Sequence, residues 1–163
     1  MNKIAFFDVE TEPKSKLILD IGSIREDDAV FHHNSVPDFI RFIRNTDYLA
    51  GHNIFAHDLK YLSQAFREAG IHNRGFIDTL LFSPLMFPSR PYHALVKDDK
   101  LQTDSLNNPV NDSINARELF FDETATFSNT DMLLKQIYYL LLHNHPHYQS
   151  FFDFVGYSTE NGD

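Results

Sequence analysis

The sequence predicts a mixed α/β domain in which a five-stranded sheet carries helices on its faces. Three observations predict it. An early run has apolar side chains of both parities, two further β-rich runs follow it across turn residues, and beyond residue 35 helically spaced segments alternate with short extended ones. With 163 residues and 42% hydrophobic content, the chain fits one domain with its own core, and no apolar run is long enough to span a bilayer. The expected boundaries are 1–155 for the domain and 156–163 for a polar tail or the start of a linker. The start MNKIAFFDVE passes at once from a short basic segment to acids, so no signal peptide is expected. Zero Cys excludes disulfides and thiolate metal sites and fits a cytoplasmic setting with no membrane partner.

Lys3 to Val9 reads as a central strand covered on both sides. A turn through Glu12-Pro13-Lys14 leads to a second strand, Leu17 to Arg25, and Glu26-Asp27-Asp28 turns the chain into a third, Ala29 to His33. Ser35-Val36-Pro37-Asp38 then combines an N-cap, a first-turn proline and an acid at the positive helix end, which starts a helix burying Phe39, Ile40, Phe42 and Ile43. Tyr48 to His52 is a short strand. From Ala56 the apolar positions Leu59, Leu62, Ala65, Phe66 and Ala69 keep helical spacing up to Gly70, a helix stop. Phe76-Ile77 is a fifth strand, Thr79 to Met86 a helix, and a proline-rich loop precedes a helical stretch expected from about His93. The segment from Asn111 to about Phe154 reads as mostly helical.

Four acids occupy unusual places. Asp8 and Glu10 end the first strand two residues apart, so their side chains leave the same face of the sheet. A D-x-E pair alone is most simply a strand giving way to a solvated turn. Asp58, however, heads the apolar stripe of its helix, and Asp112 heads another formed by Ala116, Leu119 and Phe120. Taken singly, each could be an N-terminal acid favoured by the helix dipole. Together they suit phosphodiester cleavage by two divalent ions, which needs carboxylates converging to hold ions about 3.5–4 Å apart. Hard oxygen ligands select Mg²⁺ or Mn²⁺.

The motifs strengthen this reading. FFDVETEP resembles the first motif of the DEDD (DnaQ-like) exonucleases, with Asp8 and Glu10 in the metal-ligand positions. GHNIFAHDLKYL is similar to the second, matching Asn53 and Asp58, FIDTLLF to the Asp-Thr-Leu segment that follows, and NDSINARELF to the third, with Asp112 as its acid. The resemblance covers roughly residues 5–120. It implies a ribonuclease H-like fold and a 3′–5′ exonuclease that hydrolyses terminal phosphodiesters of DNA, or of RNA by the same chemistry. Two Mg²⁺ or Mn²⁺ ions would sit on Asp8, Glu10, Asp58 and Asp112, with Thr11 and Asn53 holding the terminal nucleotide. The family's water-orienting His or Tyr lies five or four residues before the last Asp, where this chain has Asn107 and Asn108. That departure leaves His93 as the catalytic candidate for the water and keeps open a binding module that has lost catalysis. PYHALVKDDKL with NNPVND resembles exonuclease-like domains that precede RecQ-type helicase modules in bacteria, which implies a helicase partner in the same polypeptide.

A net charge of −9 runs against tight binding of a nucleic-acid backbone. Divalent ions held by the acids would supply the missing positive charge, with Lys97, Lys100 and Arg117 the main basic candidates, so weak binding at a single-stranded or frayed 3′ end is expected. His143, His145 and His147 read as a polar break between helices rather than a metal site. The late aromatics, Phe120 to Phe154, read mainly as core. Asp98-Asp99 reads as a solvated helix face, and His57 as a local packing or bonding residue.

Overall fold

The computed structural model describes residues 2–15, 17–95 and 108–159. The strands are β1 (Ile4–Thr11), β2 (Ile18–Arg25), β3 (Val30–His33), β4 (Tyr48–Gly51) and β5 (Gly75–Asp78). The helices are α1 (Val36–Ile43), α2 (Leu59–Glu68), α3 (Thr79–Met86), α4 (Pro109–Asn129), α5 (Met132–Leu142) and α6 (Gln149–Val155). They form one mixed sheet in the order β3-β2-β1-β4-β5, with β1 antiparallel to β2 and parallel to β4. This is the ribonuclease H-like arrangement, and the element order is the one the sequence predicts.

Strand alternation sorts the core into two layers. Ile4 and Phe6 face one side, where Phe82, Phe120 and Phe151 from α3, α4 and α6 cover them. Ala5, Phe7 and Val9 face the other, against Phe39 of α1 and Leu62 and Phe66 of α2. Both faces of β1 are thus buried, and its first four residues are each no more than 1% exposed. Asp8 and Glu10 share the parity of Ile4 and Phe6, which turns them toward α4.

Ser35 caps α1 by accepting from the Asp38 backbone N–H, as expected. Two boundaries differ from the sequence reading. α2 begins at Leu59, since residues 54–58 form tight turns rather than helix. Residues 91–95 are irregular, so no helix starts at His93, where two prolines and a serine break the preceding segment. The late helical region is three helices, α6 ending at Gly156 in the left-handed conformation (φ 65°). Among the described residues, no helix is long and apolar enough to cross a membrane.

Candidate active site

The site is built where β1 ends and α4 begins. In the β1–β2 ladder Asp8 stands opposite Gly22 and Glu10 opposite Asp20, and the register shifts between Glu10 and Thr11. Gly22 lets α4 approach. A Cβ there would lie 2.1 Å from the Pro109 carbonyl carbon and 2.2 Å from the Val110 nitrogen, so no other residue fits without moving the helix. The fully buried Ser113 hydroxyl fastens the same turn, lying 2.9 Å from the Gly22 carbonyl oxygen and 2.7 Å from that of Pro109. Asn108 caps α4 by accepting from the Val110 N–H at 2.9 Å, and Pro109 occupies the first turn, where its missing N–H costs nothing.

This docking carries Asp112, in the first turn of α4, over the end of β1. One carboxylate oxygen each from Asp8, Glu10 and Asp112 falls within 4.8 Å of the others, and all three side chains are half-buried. Three hard oxygen donors at such spacing could bind a divalent metal ion. The donor set fits Mg²⁺ or Mn²⁺ in type and charge, and the helix N-terminus beside it adds room for an anionic group.

Asp58 does not join this group. It is 1% exposed and its Oδ1 accepts the Val9 N–H at 2.7 Å, while its Oδ2 lies 3.6 Å from His57 Nδ1. The carboxylate therefore braces the peptide between Asp8 and Glu10. Burial pushes its pKa up to about 6, opposed by the Val9 hydrogen bond and by His57. His57 also packs on Tyr61 at 5.4 Å, the local role the sequence suggests.

Asp78 braces the same region from β5. It accepts the N–H groups of Asn53 (2.7 Å), Phe55 (3.2 Å) and Leu80 (3.0 Å), and so fixes the loop leading to Asp58 while capping α3. Asn53 sits in the left-handed conformation (φ 64°), half-buried, with its backbone committed to Asp78. Thr11 is half-buried at the irregular end of β1.

His93 is not brought into the acidic group. Its Nδ1 lies 2.8 Å from Ser83 Oγ on α3, and it lines an open cleft with Arg90, Tyr92, Asn115 and Leu119, where Asn115 is one turn along α4 from Asp112. Beside it, His52 Nδ1 meets Thr79 Oγ1 at 2.8 Å, and burial pushes its pKa down to about 4, keeping it neutral.

Other expected residues are placed elsewhere. Arg117 donates to Asp28 at 2.7 Å, in the β2–β3 turn, so this cation is committed away from the acids. Lys97, Lys100, Asp98, Asp99 and Asn107 lie outside the described residues. His147 stacks on Phe55 at 4.1 Å and His143 on Tyr139 at 4.3 Å, and no metal-binding group of described residues includes them.

Sequence reasoning missed two residues. Gly22 carried a readable signal, a glycine inside a strand, which marks a close approach. Glu123 carried none. It lies three turns beyond Asp112 on α4, fully buried, and neither carboxyl oxygen finds a hydrogen-bond partner among the described residues. Burial, and then the nearby Asp78 charge, push its pKa up to about 9, with Arg90 opposing.

No protein-family model matches the chain, and no curated protein matches it. Among solved structures, the chain is similar to the family B DNA polymerase of the hyperthermophilic archaeon Pyrobaculum calidifontis. The TM-score is 0.51 at 11% identity, over 84% of this chain and 27% of the polymerase. At that identity the likeness is one of fold, and it agrees with the mixed five-stranded sheet and its flanking helices.

Proposed function

We propose that this chain is a metal-dependent 3′–5′ exonuclease that hydrolyses terminal phosphodiesters of DNA. The observation that carries the reading is the convergence of Asp8, Glu10 and Asp112, from a strand and from a helix about a hundred residues later, on one point. The motif resemblance supplies the reaction and its polarity, and likeness of fold to a DNA polymerase supports work on nucleic acid.

In this reading Asp8, Glu10 and Asp112 hold divalent cations, Mg²⁺ or Mn²⁺, and Asp58 contributes Oδ2 toward a second ion while Oδ1 keeps β1 in place. When bound, the ions supply charge stabilisation to the attacking and leaving oxygens of the phosphate. His93 orients or deprotonates the attacking water through Nε2, since Nδ1 is engaged by Ser83. Thr11 and Asn53, flanking the acids, position the terminal nucleotide.

A second reading, a nucleic-acid-binding module without catalysis, is favoured by one observation. Asn108, which stands where related enzymes carry a water-orienting residue, is committed to capping α4.

The deciding assay follows end-labelled single-stranded DNA and RNA of one sequence with Mn²⁺, with Mg²⁺ and with chelator. A metal-dependent ladder shortening from the 3′ end of DNA supports the proposal, and a ladder on RNA alone reassigns the substrate. Metal-independent binding without cleavage establishes the binding module instead.

A further inference from the structure

Helix α5 is apolar on both sides. Of its eleven residues, only Lys135 and Gln136 are polar. Tyr138, Tyr139 and Leu142 turn inward onto the core, and Tyr138 donates to the Leu85 carbonyl at 3.2 Å. At 100° per residue, Leu133, Leu134, Ile137, Leu140 and Leu141 fall together on the opposite side. All five are exposed, from 39% for Leu134 to 74% for Leu141, and Met132 at the helix start is 66% exposed. Among the described residues, six of the eleven exposed large hydrophobics lie in this one helix. A helix apolar all round belongs between two layers, and the described residues provide one.

We propose that the outer face of α5 is a self-association surface, where α5 of one copy packs against α5 of a second across a two-fold axis. Area argues for this occupant. The exposed parts of these six side chains amount to on the order of 600 Å², at the upper end of the apolar patch a monomer leaves open. With a polar rim, that approaches the roughly 800 Å² per partner of a stable interface. Charge argues the same way. The stripe contains no ionisable residue, as in the apolar centre of homodimer interfaces, so two copies carrying −9 each would meet without opposing acids at the contact. An isologous contact needs only that a patch complement itself, and a straight row of Leu and Ile does so. A lipid surface fits poorly. Interfacial helices carry a basic polar face, and here the single Lys135 donates to the Ser128 carbonyl and lies over the Phe127 ring.

The test is sedimentation of the 163-residue chain from roughly 1 to 100 μM, beside a variant carrying Ile137→Lys and Leu141→Lys. Both substituted positions are exposed, so folding should survive, and circular dichroism checks it. The expected result is a concentration-dependent dimer whose Kd rises at least ~100-fold in the variant. Because the chain has no Cys, Ile137→Cys adds an independent reading: oxidation should yield a disulfide-linked dimer, whereas Asn34→Cys, exposed just beyond the end of β3, should not. A wild type that stays monomeric throughout, or a dimer that persists in the double Lys variant, overturns the proposal. Equal cross-linking at positions 34 and 137 overturns it too.

Discussion

Helix α4 carries two acids on which the fold places opposite demands. Asp112, in its first turn, is half-buried and faces two other carboxylates, with the positive end of the helix beneath it. Glu123, three turns later, is fully buried with no hydrogen-bond partner for either oxygen among the described residues, and the charges acting on it are those of Asp78, Asp122 and the opposing Arg90. The first arrangement keeps negative charge at an edge where a cation can relieve it. The second removes the charge by protonation. The same side-chain chemistry on the same helix therefore becomes a candidate ligand or a neutral core group according to what the backbone brings to it.

The largest expected effect is at Asp112. Asp112→Asn keeps size and much of the hydrogen bonding but loses the charge a hard cation requires, so 3′ trimming should fall by roughly 10³-fold or more. Thermal unfolding without metal should be unchanged or slightly improved. Near-normal trimming by a folded variant would remove Asp112 from the catalytic group. A smaller loss is expected at His93, which lies along the cleft between the two ends. His93→Ala should lower turnover by roughly 10²-fold with metal affinity little changed, as measured by single-turnover rates across a Mn²⁺ titration. A parallel fall in metal affinity would place His93 among the ligands instead.

Metal should distinguish the two acids directly. At about 100 times its Kd, Mn²⁺ should stabilise the native protein by about 2.7 kcal/mol, visible as a rise in Tm. The rise should vanish in Asp112→Asn and persist in Glu123→Gln. If both variants kept it, the ion would bind elsewhere.

The smallest effect belongs to Glu123 and is read in pH. Its folded-state pKa, about 9, lies above the ordinary value of 4.5, so between these values the native state holds a proton that the unfolded state has released. This contribution therefore makes stability fall as pH rises through that window. Glu123→Leu should stabilise the protein by roughly 1–3 kcal/mol at pH 8, with the gain shrinking toward pH 4.5. Denaturant melts at both pH values would measure it, and a gain independent of pH would mean that packing rather than the proton is responsible.

The acids that meet at Asp8, Glu10 and Asp112 were legible because strand parity and helix onset are local properties that spacing records. Element order was legible for the same reason. How Asp58 is held was not. The Val9 N–H that its Oδ1 accepts belongs to a strand end forty-nine residues away, a pairing that spacing does not record. Glu123 resembled any acid on a helix, since its burial is a property of the packed fold that spacing along the helix does not record. In α5, the inward and outward apolar positions look alike in sequence, and only the packing of Tyr138 and Tyr139 separates them. The helical stretch expected from about His93 does not begin there, and the prolines before it favour the irregular path.

The close approach at Gly22 has a consequence for how mutations in this protein will be interpreted. A methyl group there would collide with the backbone of Pro109 and Val110 and push aside the turn that carries Asp112. Such a variant could stay folded and lose activity as completely as one missing an acid. A random mutational screen would then score position 22 as catalytic, although it has no side chain to offer. Misreading it can be avoided, since a shortened or re-registered start of α4 could restore function to a Gly22→Ala protein, whereas no such second-site change could rescue the loss of Asp8.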